Sequence, residues 1–123
     1  MQNCNSKFKI DIDKRTYNFA LNIIDFIDSL DNRMSVQVIA KQLLRAATSV
    51  GANVAEAQAS SSRREFANFM TYALKSANET KFWLNLLKDA KKCRENLILP
   101  LTQEIKELSN ILASIILKLK YKN

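Results

Sequence analysis

Three glutamates, Glu56, Glu65 and Glu79, lie in the helix-forming middle of this 123-residue chain. Carboxylates projecting from neighbouring helices are the raw material of a di-metal site, in which each of two helices adds a Glu-x-x-His pair. The chain contains no histidine, so it lacks the commonest metal ligand and the commonest general base. Arg45, Arg63, Arg64 and Lys75 are the expected neighbours of these carboxylates, which makes ion pairing their better explanation. Ser49 and the serines at 60–62 have no base to activate them. Cys4 and Cys93 are far apart, without CxxC spacing, and read as two free thiols. No catalytic set, metal site or cofactor site is expected, and the chain does not read as an enzyme.

The segment QLLRAATSVGANVAEA, from Gln42 to Ala57, carries a different kind of signal. Arg45, Ser49, Asn53 and Glu56 recur at spacings of four, four and three, which aligns them on one stripe of a helix. Ala46, Val50, Val54 and Ala57 interleave with them, so the stripe is expected to face protein. Buried polar groups are costly unless each finds a partner. Folding the next helix back about Ser60 brings Arg45 to the region of Ser76 to Thr80 and makes Arg45 and Glu79 a candidate buried ion pair, with Lys75, four residues before Glu79, as the alternative partner. Such a pair adds little net stability but costs about 3 to 5 kcal/mol when one partner is lost. Arg45, Ser49, Asn53, Glu56, Ser76 and Glu79 are therefore read as a structural polar core.

The elements that must position these residues are helices. One Gly and one Pro leave little turn chemistry. A first helix is predicted from about Lys14 to Leu30, with Tyr17, Leu21, Ile24 and Ile27 in register. Ser35 is the expected cap of a second, reaching about Gln58, in which Gly51 signals close approach of a neighbour. Ser62 and Glu65 form a capping box for a third and longest helix. Pro100 fits the first turn of a fourth. Short connections imply an all-α, antiparallel up-down-up-down four-helix bundle formed as one domain over residues 1–123. No apolar run approaches the ~18–20 residues of a membrane span, and MQNCNSKFKIDIDK has no apolar signal region. A soluble, cytoplasmic protein is expected.

The net charge is +7, which favours acidic partners such as nucleic acid. In the predicted topology Lys7, Lys9, Lys14, Arg15, Arg63, Arg64, Lys118, Lys120 and Lys122 gather at the end holding both termini and the middle turn. Lys88, Lys91, Lys92 and Arg94 form a smaller opposite patch. Nucleic acid would be held there by phosphate neutralisation, with little dependence on base sequence. The third helix carries Phe66, Phe69, Tyr72, Phe82 and Trp83, more than one inner face needs. Phe66, Phe69 and Phe82 can serve the core while Tyr72 and Trp83 point partly elsewhere, and Ile115, Ile116 and Leu117 also spill over. Apolar surface of this kind argues for self-association or a protein partner.

Arg45-Ala46-Ala47-Thr48-Ser49-Val50-Gly51-Ala52-Asn53-Val54-Ala55-Glu56-Ala57, followed by Arg64-Glu65-Phe66 and by Ala73, Ser76 and Glu79, resembles the family of proteins encoded in intervening sequences of bacterial 23S ribosomal RNA genes. The likeness covers nearly the whole chain. It departs at Ala57, where many members carry glycine. The family in turn is similar to the accessory variability determinant of diversity-generating retroelements, a pentameric four-helix-bundle barrel that binds nucleic acid and works with a reverse transcriptase. The resemblance implies a four-helix bundle, a ring-like homo-oligomer, RNA or DNA as a partner, a reverse transcriptase or other protein as a further one, and no activity to carry over. A protein-interaction or scaffold module without nucleic-acid binding is the alternative reading.

Overall fold

The computed structural model describes residues 4–120, with side chains from residue 12 onward. Four helices account for nearly all of it: α1 (Cys4–Asp28), α2 (Met34–Gln58), α3 (Arg63–Asp89) and α4 (Glu95–Lys120). Among the described residues each packs on its neighbours in chain order and α4 returns to α1, while the backbones of diagonal helices stay apart. The result is a four-helix bundle around one core. Cross-helix contacts between α3 and α4 run in opposite chain directions, since Lys81 reaches Ser109 while Arg63 reaches Leu119.

The core follows from the apolar spacing in α2, α3 and α4, but in α1 the expected stripe is displaced: Tyr17, Leu21 and Ile24 are exposed while Phe19, Ile23 and Phe26 face inward, because α1 carries apolar residues on two sides and spacing alone fits either. Phe19 and Ile23 of α1, Leu43 and Val50 of α2, Met70 and Leu84 of α3, and Ile105 and Leu112 of α4 are all buried. The buried residues of α2 and α3 include the alanines at 46, 47, 73 and 77. Small side chains let two helix backbones approach closely, and α2 with α3 forms the most extensive interface of the bundle. Gly51 faces α1, where the Thr16 carbonyl oxygen lies 3.4 Å from the place a β-carbon would occupy.

The helix ends differ from expectation in three places. α1 starts well before Lys14, at Cys4. Ser35 is not a cap: Arg33 holds the extended N-cap position of α2 without a side-chain bond. The turn is organised instead by Asp31, whose carboxylate accepts from the Arg33 backbone N–H at 3.0 Å and from its guanidinium at 2.6 Å. Pro100 lies inside α4. The one backbone hydrogen bond that its ring removes is near the helix start, where water can replace it. The α3 start matches its signal, with Ser62 Oγ accepting from the Glu65 N–H at 3.0 Å and Glu65 Oε1 accepting from the Ser61 N–H at 3.0 Å. Among the described residues no helix is long and apolar enough to cross a membrane.

Candidate nucleic-acid interface

The polar stripe of α2 follows the predicted register but is not sealed. Arg45 and Glu56 are exposed, and Ser49, Asn53, Ser76 and Glu79 are half-buried. The expectation of an enclosed polar core therefore gives way to a rim along the α2–α3 seam. The reason lies in the hydrogen bonding. Ser49 Oγ donates to the Arg45 carbonyl at 2.8 Å, and Asn53 Nδ2 donates to the Ser49 carbonyl at 2.9 Å. Thr80 Oγ1, fully buried, donates to the Ser76 carbonyl at 2.8 Å. These side chains bond back to their own helices and do not need a partner across the seam.

Arg45 and Glu79 do meet across that seam, with side-chain exposures of 56% and 36%. Glu79 also accepts from Trp83 Nε1 at 3.0 Å. The indole hydrogen bond, with help from Arg45, holds the Glu79 carboxyl below its ordinary range. Trp83 is thus half-buried and engaged, whereas Phe82, expected to serve the core, is 57% exposed and stacks edge-on against it. Tyr72 is exposed as expected, at 50%.

The basic residues separate into two groups. Arg15 is committed elsewhere: its guanidinium donates to Glu104 at 3.0 and 2.7 Å and to Glu107 at 2.9 Å. Those bonds raise its pKa further, with the Glu104 contact the largest cause. A cation with two bound carboxylates has little left for a phosphate, so Arg15 departs from the expected set. Lys14, Arg63, Arg64, Lys118 and Lys120 are exposed and have no ion pair among the described residues. Lys7 and Lys9 belong to α1, ahead of the described side chains, and Lys122 lies outside the described residues.

Arg63, Arg64 and Lys120 line one groove between the start of α3 and the end of α4, together with Asn68, Thr71, Ile116 and Leu119, with a volume of about 410 Å³. Arg63 Nη2 donates to the Leu119 carbonyl at 3.2 Å, tying the C-terminal turn of α4 to the N-terminus of α3. A helix N-terminus carries partial positive charge, which adds to the arginines there. A second groove, of about 370 Å³, lies further along the same seam and is lined by Lys81, Asn85, Thr102, Gln103, Ile105 and Lys106. Sequence reasoning placed neither Lys81 nor Lys106 in a site, since it grouped cations only by bundle end. The available signal was the four-and-three spacing of Thr102, Lys106, Ser109, Ala113, Ile116 and Lys120, a stripe of α4 without a carboxylate.

None of this is arranged for covalent chemistry. Cys93 is half-buried at the α3–α4 turn, and burial pushes its thiol up, away from the reactive thiolate. Among the described residues no cluster of three or more metal-ligating side chains occurs.

Comparison with known proteins gives a consistent result. A family model described as 23S rRNA-intervening sequence protein matches residues 9–114. A crystal structure of a protein with unknown function from the S23 ribosomal protein family of Bacteroides thetaiotaomicron VPI-5482 is similar over 88% of this chain and 96% of that one, at 34% identity and a TM-score of 0.81. Among curated proteins nothing matches.

Proposed function

The chain belongs to the 23S rRNA-intervening sequence protein family, and from that premise we propose that it acts by binding and not by catalysis. It is a non-enzymatic, self-associating bundle that holds nucleic acid through basic surface, with little regard for base sequence. The observation that carries this reading is the groove of Arg63, Arg64 and Lys120, three cations on a concave surface that no carboxylate lines. Lys118, two residues before Lys120, and Lys14 are further exposed cations of the same surface. Such a surface neutralises phosphates and releases counterions, so affinity falls steeply with salt.

Self-association is supported by the exposed aromatics Tyr72 and Phe82 on α3 and by Leu117 on α4. The same apolar surface favours a second reading, a protein-interaction or scaffold module whose charge confers solubility alone. Filter binding to mixed RNA and DNA at low and moderate salt separates the two. Salt-dependent retention that disappears when Arg63, Arg64, Lys118 and Lys120 are replaced by Gln supports the first reading. Complete absence of retention at micromolar protein would eliminate it and leave the second. Light scattering addresses assembly, since a monomer has a mass of 14.0 kDa.

A further inference from the structure

The α3–α4 seam differs from the seams beside it in where the carboxylates point. Glu104 and Glu107 of α4 turn toward α1, where Arg15 binds both. Glu79 of α3 turns toward α2 and Arg45. No carboxylate lines either groove between α3 and α4. Within the groove further along, Lys81 Nζ donates to Ser109 Oγ at 3.1 Å. That bond fixes the ammonium against the groove wall and leaves two of its three N–H donors available. Lys106 is exposed. Asn85 and Thr102 add neutral hydrogen-bonding groups.

We propose that this seam is a phosphate track for a nucleic-acid duplex, with Lys81 and Lys106 as an interior pair of phosphate contacts continuing the basic end formed by Arg63, Arg64 and Lys120. The inference rests on the nucleic-acid-binding reading and assigns it a surface and a form of nucleic acid. Arg64 and Lys81 stand ~26 Å apart along α3 at 1.5 Å per residue, so both grooves meet backbone within a single duplex turn of about 34 Å. Neither groove has an aromatic lining. Single-strand binders combine cations with aromatic platforms on which bases stack. A seam of cations, amides, hydroxyls and aliphatic side chains, without such platforms, suits a partner whose bases stay paired and whose phosphates face outward.

The test uses a DNA duplex of about twenty base pairs, roughly two helical turns, and one of its strands alone. Binding of each is followed by fluorescence anisotropy from about 50 to 200 mM salt. Replacing Lys81 and Lys106 together by Gln is expected to weaken duplex binding about tenfold at the low-salt end and to reduce the salt slope by about two, near 0.9 per lost contact. The double Arg variant keeps both affinity and slope. Lys106→Gln alone, at an exposed side chain, lowers the slope by about one with an unchanged melting curve. A double Gln variant that melts normally and binds with full affinity and slope overturns the track while leaving binding at the bundle end intact. Tighter binding of the single strand than of the duplex also overturns it. A wild-type protein that retains neither probe removes the functional reading itself and this inference with it.

Discussion

The Thr16 carbonyl oxygen lies 3.4 Å from the point where a β-carbon on Gly51 would sit, and the Thr16 β-carbon lies 3.6 Å from it. The helices α1 and α2 therefore pass close at this level, yet a methyl group would make ordinary van der Waals contact. Helix propensity then decides the outcome. Gly51→Ala is expected to raise stability by about 0.5–1 kcal/mol, read from the urea midpoint. Gly51→Leu, which must push into Thr16, should lose about 1–3 kcal/mol. A destabilised alanine variant would show that the contact has no room for a methyl.

Lys91 is the one described non-glycine residue with positive φ, at 56°. It ends α3, where the Lys92 N–H donates to the Leu87 carbonyl at 3.0 Å and the Lys91 N–H to the Lys88 carbonyl at 3.0 Å, the bonding of a left-handed helix terminus. An L side chain there costs about 1 kcal/mol or more. Lys91→Gly should recover about 0.5–1 kcal/mol of stability in thermal melts. No gain, or a loss, would mean that the lysine makes a compensating contact.

Apolar spacing carried most of the bundle. Leu43, Leu84 and Ile105 announce their inward faces by threes and fours, and Ser62 with Glu65 announces the start of α3, whereas in α1 the expected stripe of Tyr17, Leu21 and Ile24 lies outward and Phe19, Ile23 and Phe26 are buried instead. Pro100 misled by one turn because proline is tolerated early inside a helix as well as at its first position. The α2 stripe misled in a different way. Spacing placed Ser49 and Asn53 on the right side of the helix, but it cannot tell whether such groups bond across a seam or back to carbonyls one turn earlier, as these do. Of the basic set, Arg15 looked available because its partners Glu104 and Glu107 lie about ninety residues away in the chain. Lys81 and Lys106 went unnoticed for the same reason: their juxtaposition exists only after α3 and α4 pack.

Because Arg45 and Glu79 meet at an exposed rim, their ion pair should be worth no more than about 1 kcal/mol. Arg45→Met and Glu79→Gln are each expected to lower stability by that much or less. Trp83 is the sole tryptophan, so its emission reports directly on the carboxylate that its indole N–H contacts. Acidification should change that emission in the wild type and leave it flat in Glu79→Gln. A loss near 3 kcal/mol in either variant would instead indicate a desolvated pair.

Acid should destabilise the fold from a definite direction. The Arg33 guanidinium, then its backbone N–H, holds the Asp31 carboxyl down to about 2. Glu107 is lowered by a hydrogen bond from Gln103 and then by Arg15, and Glu79 is lowered as well. Each folded pKa lies below its unfolded value, so the folded state binds fewer protons in this range. Their stabilisation is complete above the ordinary carboxylate range of about 3.9–4.3 and disappears as pH falls through the folded values. Urea midpoints should hold steady from pH 7 to about 5, then decline toward about 2. Asp31→Asn should flatten the lowest part of the decline. A midpoint that rises on acidification would reverse the sign of this linkage.

For the nucleic-acid binding proposed above, the turning of Glu104, Glu107 and Glu79 away from the α3–α4 seam has a kinetic consequence as well. A body whose compensated and uncompensated sides differ experiences torque in the field of a polyanion. It rotates during approach, so that the correct side leads before any atoms touch. More collisions then become productive, and that advantage fades as added ions shorten the reach of the field.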